Sequence, residues 1–386
     1  MSSTAPAVSA AAAATPPARD WVAEMRDLGP TFAARAERHD AEDAFVKENY
    51  EDLRARGFLA AGVPAELGGG GAGFAELCAM LGELARHCGS TALALSMHTH
   101  LVAVNAWRWR HEGAPTDGLL RRVAAERLVL VSSGGSDWLP GSGTAERVEG
   151  GYRITARKVF SSGSPAGQLL VTSAVLADDA AGPTVLHFAV PLVAAGVRIE
   201  ETWRTLGMRG TGSHDVVLEG AFVPEAAVGV RRPAGKWHPM FHTIASVAFP
   251  LIYSVYVGIA EAARDLAVRE AKKKKADPAL LTLVGEMENE LATARLALGG
   301  MIANAGAARF SADTTNTAMI GRTLAGRHAI RTVDKAMEVV GGASFFRRVG
   351  LERMFRDVQG ARYHPLQEKP QLLYAGRVAL GLDVND

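Results

Sequence analysis

A histidine set against a proline interrupts a helix-like run near the end of this 386-residue sequence. The pair is His364 and Pro365, in "ARYHPLQEKPQLLYAGR", residues 361–377. Proline breaks a helix because it lacks a backbone donor and clashes with the preceding turn. Histidine gains and loses protons near neutral pH, so a histidine held at such a bend can handle a proton in a reaction. A surface histidine at a helix end, which the helix dipole also favours, is the alternative interpretation.

Hydroxyl groups and glycines are concentrated in a first segment, residues 132–167. It reads "SSGGSDWLPGSGTAERVEGGYRITARKVFSSGSPAG" and contains Ser133, Ser136 and Ser162, the last of them close to the aromatic Phe160. A flat, redox-active ring needs an apolar face together with hydrogen-bonding groups at its polar edge, and these residue types supply both. The alternative is a hairpin whose turns are rich in serine and glycine.

A second such segment, residues 202–224, reads "TWRTLGMRGTGSHDVVLEGAFVP". Its glycines are accounted for by a simple turn. A turn does not explain why Arg209, Thr211 and Ser213 occur together there. The segment is therefore a candidate for binding a ligand, followed by an apolar strand.

Further polar and aromatic side chains are candidates for lining a substrate pocket. His98 and His100 lie in "ALALSMHTHLVAVNAW", residues 92–107, on a helix that should be buried. A core histidine with its hydrogen bonds satisfied is the alternative for each of them. Four aromatic residues are also candidates, with ordinary core packing as the alternative: Trp138, Phe249, Tyr253 and Tyr363.

The hydrophobic pattern divides the chain into blocks of different kinds. Residues 1–19 are rich in alanine and proline and predict a disordered tail. Helical spacing of apolar residues predicts an α-helical domain over residues 20–127 and a four-helix bundle over residues 236–386. Between them, residues 128–235 contain six short β-branched segments separated by turn residues, which predicts a β-barrel or sandwich. The fold class is therefore α+β.

Composition limits the partners and the location of the protein. A net charge of +1 argues against nucleic acid as a partner, because binding phosphates needs a concentrated basic field. Cys78 and Cys88 sit in an apolar, helical stretch, without the spacing of a disulfide framework or a metal site. We expect that no segment reaches the roughly 18 uncharged apolar residues of a membrane span, and therefore that the protein is cytoplasmic.

The order of the blocks and their motifs resemble the acyl-CoA dehydrogenase superfamily of flavoproteins, from about residue 20 to the C-terminus. The segment "KVFSSGS" resembles a flavin-contacting strand of that family, and "MRGTGS" is similar to its monooxygenase branch. The resemblance implies flavin contacts from the two segments described above. It also implies contacts with the flavin of a neighbouring subunit from the Gly-Gly turn in "EVVGGASFFRRVGLERMFRDV", residues 338–358. The implied contacts are Ser133, Ser136, Phe160, Ser162, Arg209, Thr211, Ser213, Gly341 and Gly342.

The sequence departs from the dehydrogenase pattern where that family keeps its catalytic carboxylate. A dehydrogenase of this kind needs a carboxylate to remove a substrate proton, and the expected position holds Pro365. The alternative position used by a minority of members holds Ala248 and Phe249. Flavin monooxygenases of the same fold, such as dibenzothiophene monooxygenase and amino-sugar nitrososynthases, lack that base. The resemblance to them gives His364 the catalytic role, close to the reacting position of the flavin.

The resemblance implies a two-component flavin-dependent monooxygenase. It would take reduced FMN or FAD from a separate reductase and use O2 to hydroxylate a small organic substrate, as a homotetramer without a metal. Tight FAD binding is not expected, because Glu338 replaces a glutamine of the family and Arg269 lacks the Phe-Gly that normally follows it. The alternatives are an acyl-CoA or acyl-carrier-protein dehydrogenase that uses Glu368 as its base, and a binding scaffold without flavin.

Overall fold

The computed structural model describes residues 19–133, 135, 138–177, 182–307 and 309–385. The expected tail, residues 1–19, lies outside the described residues except for Arg19, and Ser136 lies outside them too. Helices come first along the chain, then strands, then helices again. This order is the α+β arrangement that the sequence predicts.

The first part of the chain is helical. Asp20 caps the first helix, since its carboxylate accepts hydrogen bonds from the backbone of Val22 and Ala23. The apolar run over residues 74–107 is divided at Cys88, whose extended backbone ends one helix before the next begins. The helices are α1 (Trp21–Ala41), α2 (Lys47–Ala55), α3 (Phe74–His87), α4 (Gly89–Glu112) and α5 (Asp117–Glu126).

A single eight-stranded sheet forms the middle of the protein. Its path is β6-β7-β3-β2-β4-β5-β8, and β1 pairs in parallel with β4 beside that path. The strands are β1 (Leu130–Ser132), β2 (Thr144–Val148), β3 (Gly151–Ser161), β4 (Leu169–Leu176), β5 (Thr184–Pro191), β6 (Val197–Glu200), β7 (His214–Pro224) and β8 (Val228–Pro233). The described strands thus form one sheet, in the block where the sequence pattern predicted a β domain.

The third part of the chain consists of three long helices and two short ones. They are α6 (Met240–Ala271), α7 (Pro278–Ala305), α8 (Ala312–Val340), α9 (Leu351–Val358) and α10 (Glu368–Ala379). The three long helices pack against one another, and α6 also packs against α3 and α4 of the first part. One continuous apolar core therefore joins the two helical parts.

Helix α6 corrects the expectation that no segment has the composition of a membrane span. Residues 240–260 contain no Asp, Glu, Lys or Arg, and by length and composition alone the helix could cross a membrane. Inside this protein, 94% of its most apolar stretch is buried. A helix that is apolar all round is also what the core of a large protein requires.

Candidate active site

A cavity of about 760 Å³ lies where the three parts of the chain meet. Its walls come from α4, from β1, β4 and β5, from residues 203–208, from the first half of α6 and from residues 356–367. This volume falls within the range of roughly 300–1,000 Å³ that small-molecule and cofactor sites occupy. The cavity therefore has room for a ligand of cofactor size.

His364 lies in the wall of this cavity and is tied down on two sides. Its Nε2 atom is 2.6 Å from the hydroxyl of Tyr256, and its backbone carbonyl accepts a 2.6 Å hydrogen bond from Arg322. Its Nδ1 atom makes no hydrogen bond within the described part of the chain, and it is not among the polar atoms sealed from solvent. One ring nitrogen is thus anchored, and the other has no partner among the described residues, in a side chain that lines the cavity.

Burial is the main reason that the imidazole of His364 is neutral. Together with the nearby charge of Arg322 and the ring of His100, burial lowers the pKa of His364 from 6.5 to about 3. Tyr256 is fully buried, and burial raises its pKa well above 10. The phenol therefore keeps its proton. When it donates this proton to Nε2, the neutral imidazole carries its own proton on Nδ1.

A chain of three hydroxyl groups runs behind another part of the wall. The Oγ atoms of Ser162 and Ser213 are 2.8 Å apart, and the Ser213 Oγ is 2.7 Å from the Thr211 Oγ1. Thr211 lies 2.9 Å from the backbone carbonyl of Met208. Ser162 and Ser213 line the cavity, whereas Thr211 lies fully buried behind them.

Phe160 stands beside Ser162 in an unusual backbone conformation. Its φ of +57° is uncommon for a residue with a side chain, and it coincides with a register shift between Lys158 and Ser161 where β3 pairs with β7. The ring is 55% exposed, lines the cavity and meets Trp203 edge to face, with centroids 5.9 Å apart. The bulge thus turns an aromatic face toward the cavity.

Trp203 is a lining residue that the sequence argument missed. Its indole nitrogen donates a 3.0 Å hydrogen bond to the carbonyl of Met208, so its ring is held in place. A signal was available, because Trp203 is the second residue of the same segment that carries Arg209, Thr211 and Ser213.

A second group of aromatic rings forms an apolar part of the wall. Trp138 stacks on Phe241 with centroids 4.8 Å apart and lies 6.1 Å from Phe249. All three line the cavity, as do Tyr363 and His100. Phe241 was not predicted from the sequence. A wall that combines flat rings with hydroxyl groups suits a flat ligand with a polar edge.

Ser133 also lines the cavity, next to β4. Its hydroxyl donates a 2.6 Å hydrogen bond to Thr172, which lines the cavity as well. Ser136, predicted beside it, lies outside the described residues.

Two of the predicted pocket residues are not in the cavity wall. His98 uses both ring nitrogens inside the core, at 2.7 Å from the carbonyl of Leu59 and 3.0 Å from the backbone nitrogen of Leu130. Tyr253 is fully buried and donates to the carbonyl of Ala361 at 2.7 Å. Both predictions are corrected, because each side chain has its hydrogen bonds satisfied by backbone and joins α4 or α6 to a neighbouring segment.

Four predicted cofactor contacts also lie away from the cavity wall of this chain, and one of them is Thr211, which is buried behind Ser213. Arg209 donates to the carbonyl of Thr205 and stands 3.5 Å from Asp43, so it organises the turn. Gly341 and Gly342 follow α8, outside the cavity lining. Their predicted role concerns the flavin of a neighbouring subunit and stays a prediction.

No aspartate or glutamate lines the cavity among the residues that the structure describes. Glu368, the alternative base, begins α10 and pairs with Arg327 at 2.6 Å, outside the lining. Arg356 does line the cavity, but Asp40 and Glu352 already hold its guanidinium at 2.6 Å and 2.7 Å. Asp137 lies outside the described residues.

These residues fit an isoalloxazine ring. Phe160 and Trp203 offer an apolar surface, and the bulge that exposes Phe160 carries the hydroxyl of Ser162 at its edge. Such a ring needs an apolar face and hydrogen bonds at its polar edge. The fit rests on the ring alone, since Arg356 is already paired and is not a free partner for a phosphate.

Three domain descriptions of one protein family match this sequence. They are the acyl-CoA dehydrogenase N-terminal domain over residues 14–111, the middle domain over residues 132–221 and the C-terminal domain over residues 251–368. The chain belongs to the acyl-CoA dehydrogenase superfamily, as its sequence motifs implied.

Relatives within the superfamily include oxygenases and a dehydrogenase. An amino sugar nitrososynthase of Streptomyces peucetius is 30% identical, over 95% of this chain and 94% of its own length. A putative acyl-CoA dehydrogenase of Bacillus subtilis is 28% identical, over 90% and 93%. The oxygenase subunit of a flavin-dependent monooxygenase of Rhodococcus jostii is 25% identical, over 93% and 98%.

Among solved structures, KijD3 in complex with FMN and dTDP-3-amino-2,3,6-trideoxy-4-keto-3-methyl-D-glucose is similar to this protein over 97% of both chains. The TM-score is 0.88 and the sequence identity 28%. The chain is thus a flavin-dependent oxidoreductase of this fold.

Proposed function

We propose that this protein is the oxygenase component of a two-component flavin-dependent monooxygenase. It takes reduced FMN or FAD from a separate reductase and uses O2 to oxygenate a small organic substrate. The observation that carries the proposal is His364, a neutral histidine in the cavity wall whose Nδ1 has no partner among the described residues, at the bend where a dehydrogenase keeps its carboxylate.

The cavity supports oxygen chemistry better than proton removal by a carboxylate. A dehydrogenase base must reach the substrate in order to take its α-proton. Glu368 is held by Arg327 outside the lining, and no other described carboxylate takes its place. A neutral imidazole with a proton on Nδ1 instead offers a hydrogen-bond donor at the reacting edge of the ring.

Each part of the wall has a task in this function. Reduced flavin, when bound, supplies the two electrons that allow one atom of O2 to enter the substrate and the other to leave as water. Phe160 and Trp203 would hold the ring, and Ser162 would meet its polar edge. His364 donates a hydrogen bond from Nδ1 to the oxygen that accumulates charge. The apolar wall of Trp138, Phe241 and Phe249 excludes water.

The substrate side of the cavity favours a flat molecule without a positive charge. Its aromatic wall gains most from a planar ligand, and no described carboxylate in the lining attracts a cation. The nitrososynthase relatives act on amino sugars by their names, so a nucleotide-linked sugar is the second substrate class to test.

Three features of the working protein belong to the same proposal. A homotetramer is supported by exposed leucines on α7, where Leu281 and Leu296 are 62% and 78% exposed. A cytoplasmic location is supported by two buried cysteines that are not paired with each other. A separate reductase is supported by the oxygenase subunit among the relatives.

The variant His364→Ala tests the proposal. It removes the open Nδ1 donor from the cavity wall without touching the aromatic faces that hold the ring. We expect reduced flavin to bind as in the wild type, while product falls and hydrogen peroxide rises by about tenfold, as expected for the loss of one well-placed hydrogen bond. Unchanged coupling of oxygen use to product would contradict the role of His364.

A dehydrogenase is the second candidate, favoured by the Bacillus subtilis relative. It predicts that acyl-CoA substrates reduce the bound flavin without oxygen and that Glu368→Gln abolishes this reduction. Under the oxygenase proposal, Glu368→Gln leaves coupling unchanged, because this carboxylate lies outside the cavity. Asp137→Asn is made as well. Asp137 lies in the sequence between the lining residues Gly135 and Trp138, and the structure does not describe its position, so this variant tests it as a base.

A further inference from the structure

The hydroxyl chain behind Ser162 has a defined direction. It consists of Ser162, Ser213 and Thr211, and it ends at the backbone carbonyl of Met208. All of its hydroxyls belong to buried residues, and Thr211 has no exposed surface. Each hydroxyl has one proton to donate, whereas a carbonyl oxygen can only accept.

The carbonyl end fixes the direction of every proton in the chain. The Oγ1 of Thr211 donates to the carbonyl oxygen of Met208 at 2.9 Å, and the same oxygen also accepts from the backbone N–H of Thr211 and the indole of Trp203. Two oxygens at that distance with no proton between them would repel each other. With its own proton used, Thr211 accepts from Ser213, and Ser213 in turn accepts from Ser162.

At the cavity, this order leaves Ser162 as an acceptor. Its proton points inward to Ser213, so the lone pairs of its Oγ are what it presents to the cavity. The backbone N–H next to it does not replace that donor, because the N–H of Ser162 is bonded to the carbonyl of Phe160 at 3.0 Å.

We propose that Thr211 and Ser213 are positioning residues that make the flavin site select the reduced cofactor. In oxidised flavin the N5 atom is an acceptor, and it meets the lone pairs of Ser162 unfavourably. In reduced flavin N5 carries a hydrogen, which Ser162 can accept. The inference rests on the proposed function, because it takes the polar edge of the ring to lie at Ser162.

The size of the effect is that of one hydrogen bond gained or opposed. We expect wild-type protein to bind reduced FMN about five- to tenfold more tightly than oxidised FMN through this contact alone. Removing a hydroxyl from this hydrogen-bonded series lets the hydroxyl of Ser162 rotate and donate. The preference for reduced FMN then falls by the same factor.

The test compares the dissociation constants of oxidised and dithionite-reduced FMN, the latter without oxygen, by quenching of flavin or protein fluorescence. The variants are Ser213→Ala and the nearly isosteric Thr211→Val. Two variants are made so that the test still stands if one of them fails to fold. Thr211→Ser keeps the hydroxyl and should keep the wild-type ratio. Ser161→Ala is the matched control, since the buried Ser161 donates to the carbonyl of Lys158 and lies outside the cavity lining.

We expect the ratio of the two constants to fall about five- to tenfold in Ser213→Ala and Thr211→Val and to stay unchanged in Thr211→Ser and Ser161→Ala. An unchanged ratio in the first two, in protein that binds FMN, overturns the role of the hydroxyl chain and leaves the proposed function standing. Wild-type protein that binds FMN in neither state overturns both.

Discussion

At the scale of single residues, the atom that matters most is the Nδ1 of His364. Tyr256 occupies the other ring nitrogen at 2.6 Å, and Arg322 holds the backbone of the same residue. The structure therefore distinguishes the two ring nitrogens, and the sequence alone could not.

Replacing His364 by each of the two amides separates its ring nitrogens. An asparagine amide places its NH2 near the position of Nδ1, whereas a glutamine amide places it near Nε2. We expect His364→Asn to keep part of the coupling and His364→Gln to leak hydrogen peroxide about tenfold more than the wild type. Product and peroxide are measured per reduced flavin consumed. Equal losses in both variants would show that Nδ1 has no special role.

The contact between Tyr256 and His364 gives a second prediction at this scale. Tyr256→Phe keeps the ring in the cavity wall but frees Nε2, so the proton of His364 can move there and leave Nδ1. We expect more peroxide and less product, with the affinity for reduced FMN unchanged. Tyr253→Phe is the control, because this neighbour on α6 donates to a backbone carbonyl outside the cavity. An equal effect of both variants would mean that only general packing was disturbed.

The sequence identified many of the residues and failed for clear reasons. Ser162, Ser213 and Phe160 were predicted from motifs that resemble those of the family, and all three line the cavity, while their contact with flavin stays a prediction. His98 failed because a buried histidine on α4 looks the same from sequence whether its nitrogens face backbone or ligand. Trp203 and Phe241 were missed because aromatic residues are common in any core, and only their position in space makes them lining residues.

At the scale of elements, helix α9 holds the segment that carries Trp203 and the hydroxyl chain. Asp357, near its end, accepts a 2.5 Å hydrogen bond from the backbone of Met208, and Arg356 donates to the carbonyl of Leu206. Gly207 between them has no room for a side chain, since an added Cβ would lie 2.3 Å from the backbone of Arg356. The segment is thus fixed by backbone contacts with α9.

Asp357 makes the stability of this contact depend on pH. Burial raises the pKa of its carboxyl from 3.8 to about 6, against the opposing effects of the Met208 hydrogen bond and of Arg353 and Arg356. Asp40 adds to the rise. Because the folded protein binds this proton more tightly than the unfolded chain, the carboxyl favours folding at low pH and loses that contribution as the pH rises from about 4 to above 6.

Asp357→Asn removes the charge and keeps an oxygen that can accept from Met208. We expect the variant to be more stable than the wild type at pH 8, by at most about 3 kcal/mol, which corresponds to the difference between 3.8 and 6. The difference should shrink toward pH 4. Chemical unfolding at both pH values measures it. A variant that is less stable by the same amount at both would contradict the pKa assigned here.

Sequence periodicity located most elements but missed two strands. β2 and β8, "TAERV" and "VGVRRP", are short and carry charged residues, so they lack the apolar run that marks a strand. They form because neighbouring strands offer backbone hydrogen bonds, and that pairing is a tertiary effect.

At the scale of the whole molecule, the cavity exists because the three parts of the chain meet. α4 comes from the first, the β3 bulge and the segment before β7 from the second, and α6 with residues 356–367 from the third. The order of blocks predicted this family fold. The closure of the wall could not be predicted, since it depends on contacts such as that of Arg356 with Asp40, 316 positions apart in the chain.

Assembly is the prediction that belongs to this scale. The exposed Leu281 and Leu296 lie on α7 and would be covered in a homotetramer. We expect light scattering to give four times the mass of 40.7 kDa for the wild type and a smaller mass for the double variant Leu281→Glu, Leu296→Glu. A monomeric wild type would contradict the assembly.

The central claim is that this cavity uses reduced flavin and O2. Its most direct test mixes oxygen-free protein carrying FMNH2 with oxygenated buffer in a stopped-flow spectrophotometer and follows the return of oxidised-flavin absorbance. We expect the absorbance of oxidised flavin to return more slowly in the wild type than with free FMNH2, and faster in His364→Ala than in the wild type. A return as fast as that of free FMNH2 in the wild type would contradict it.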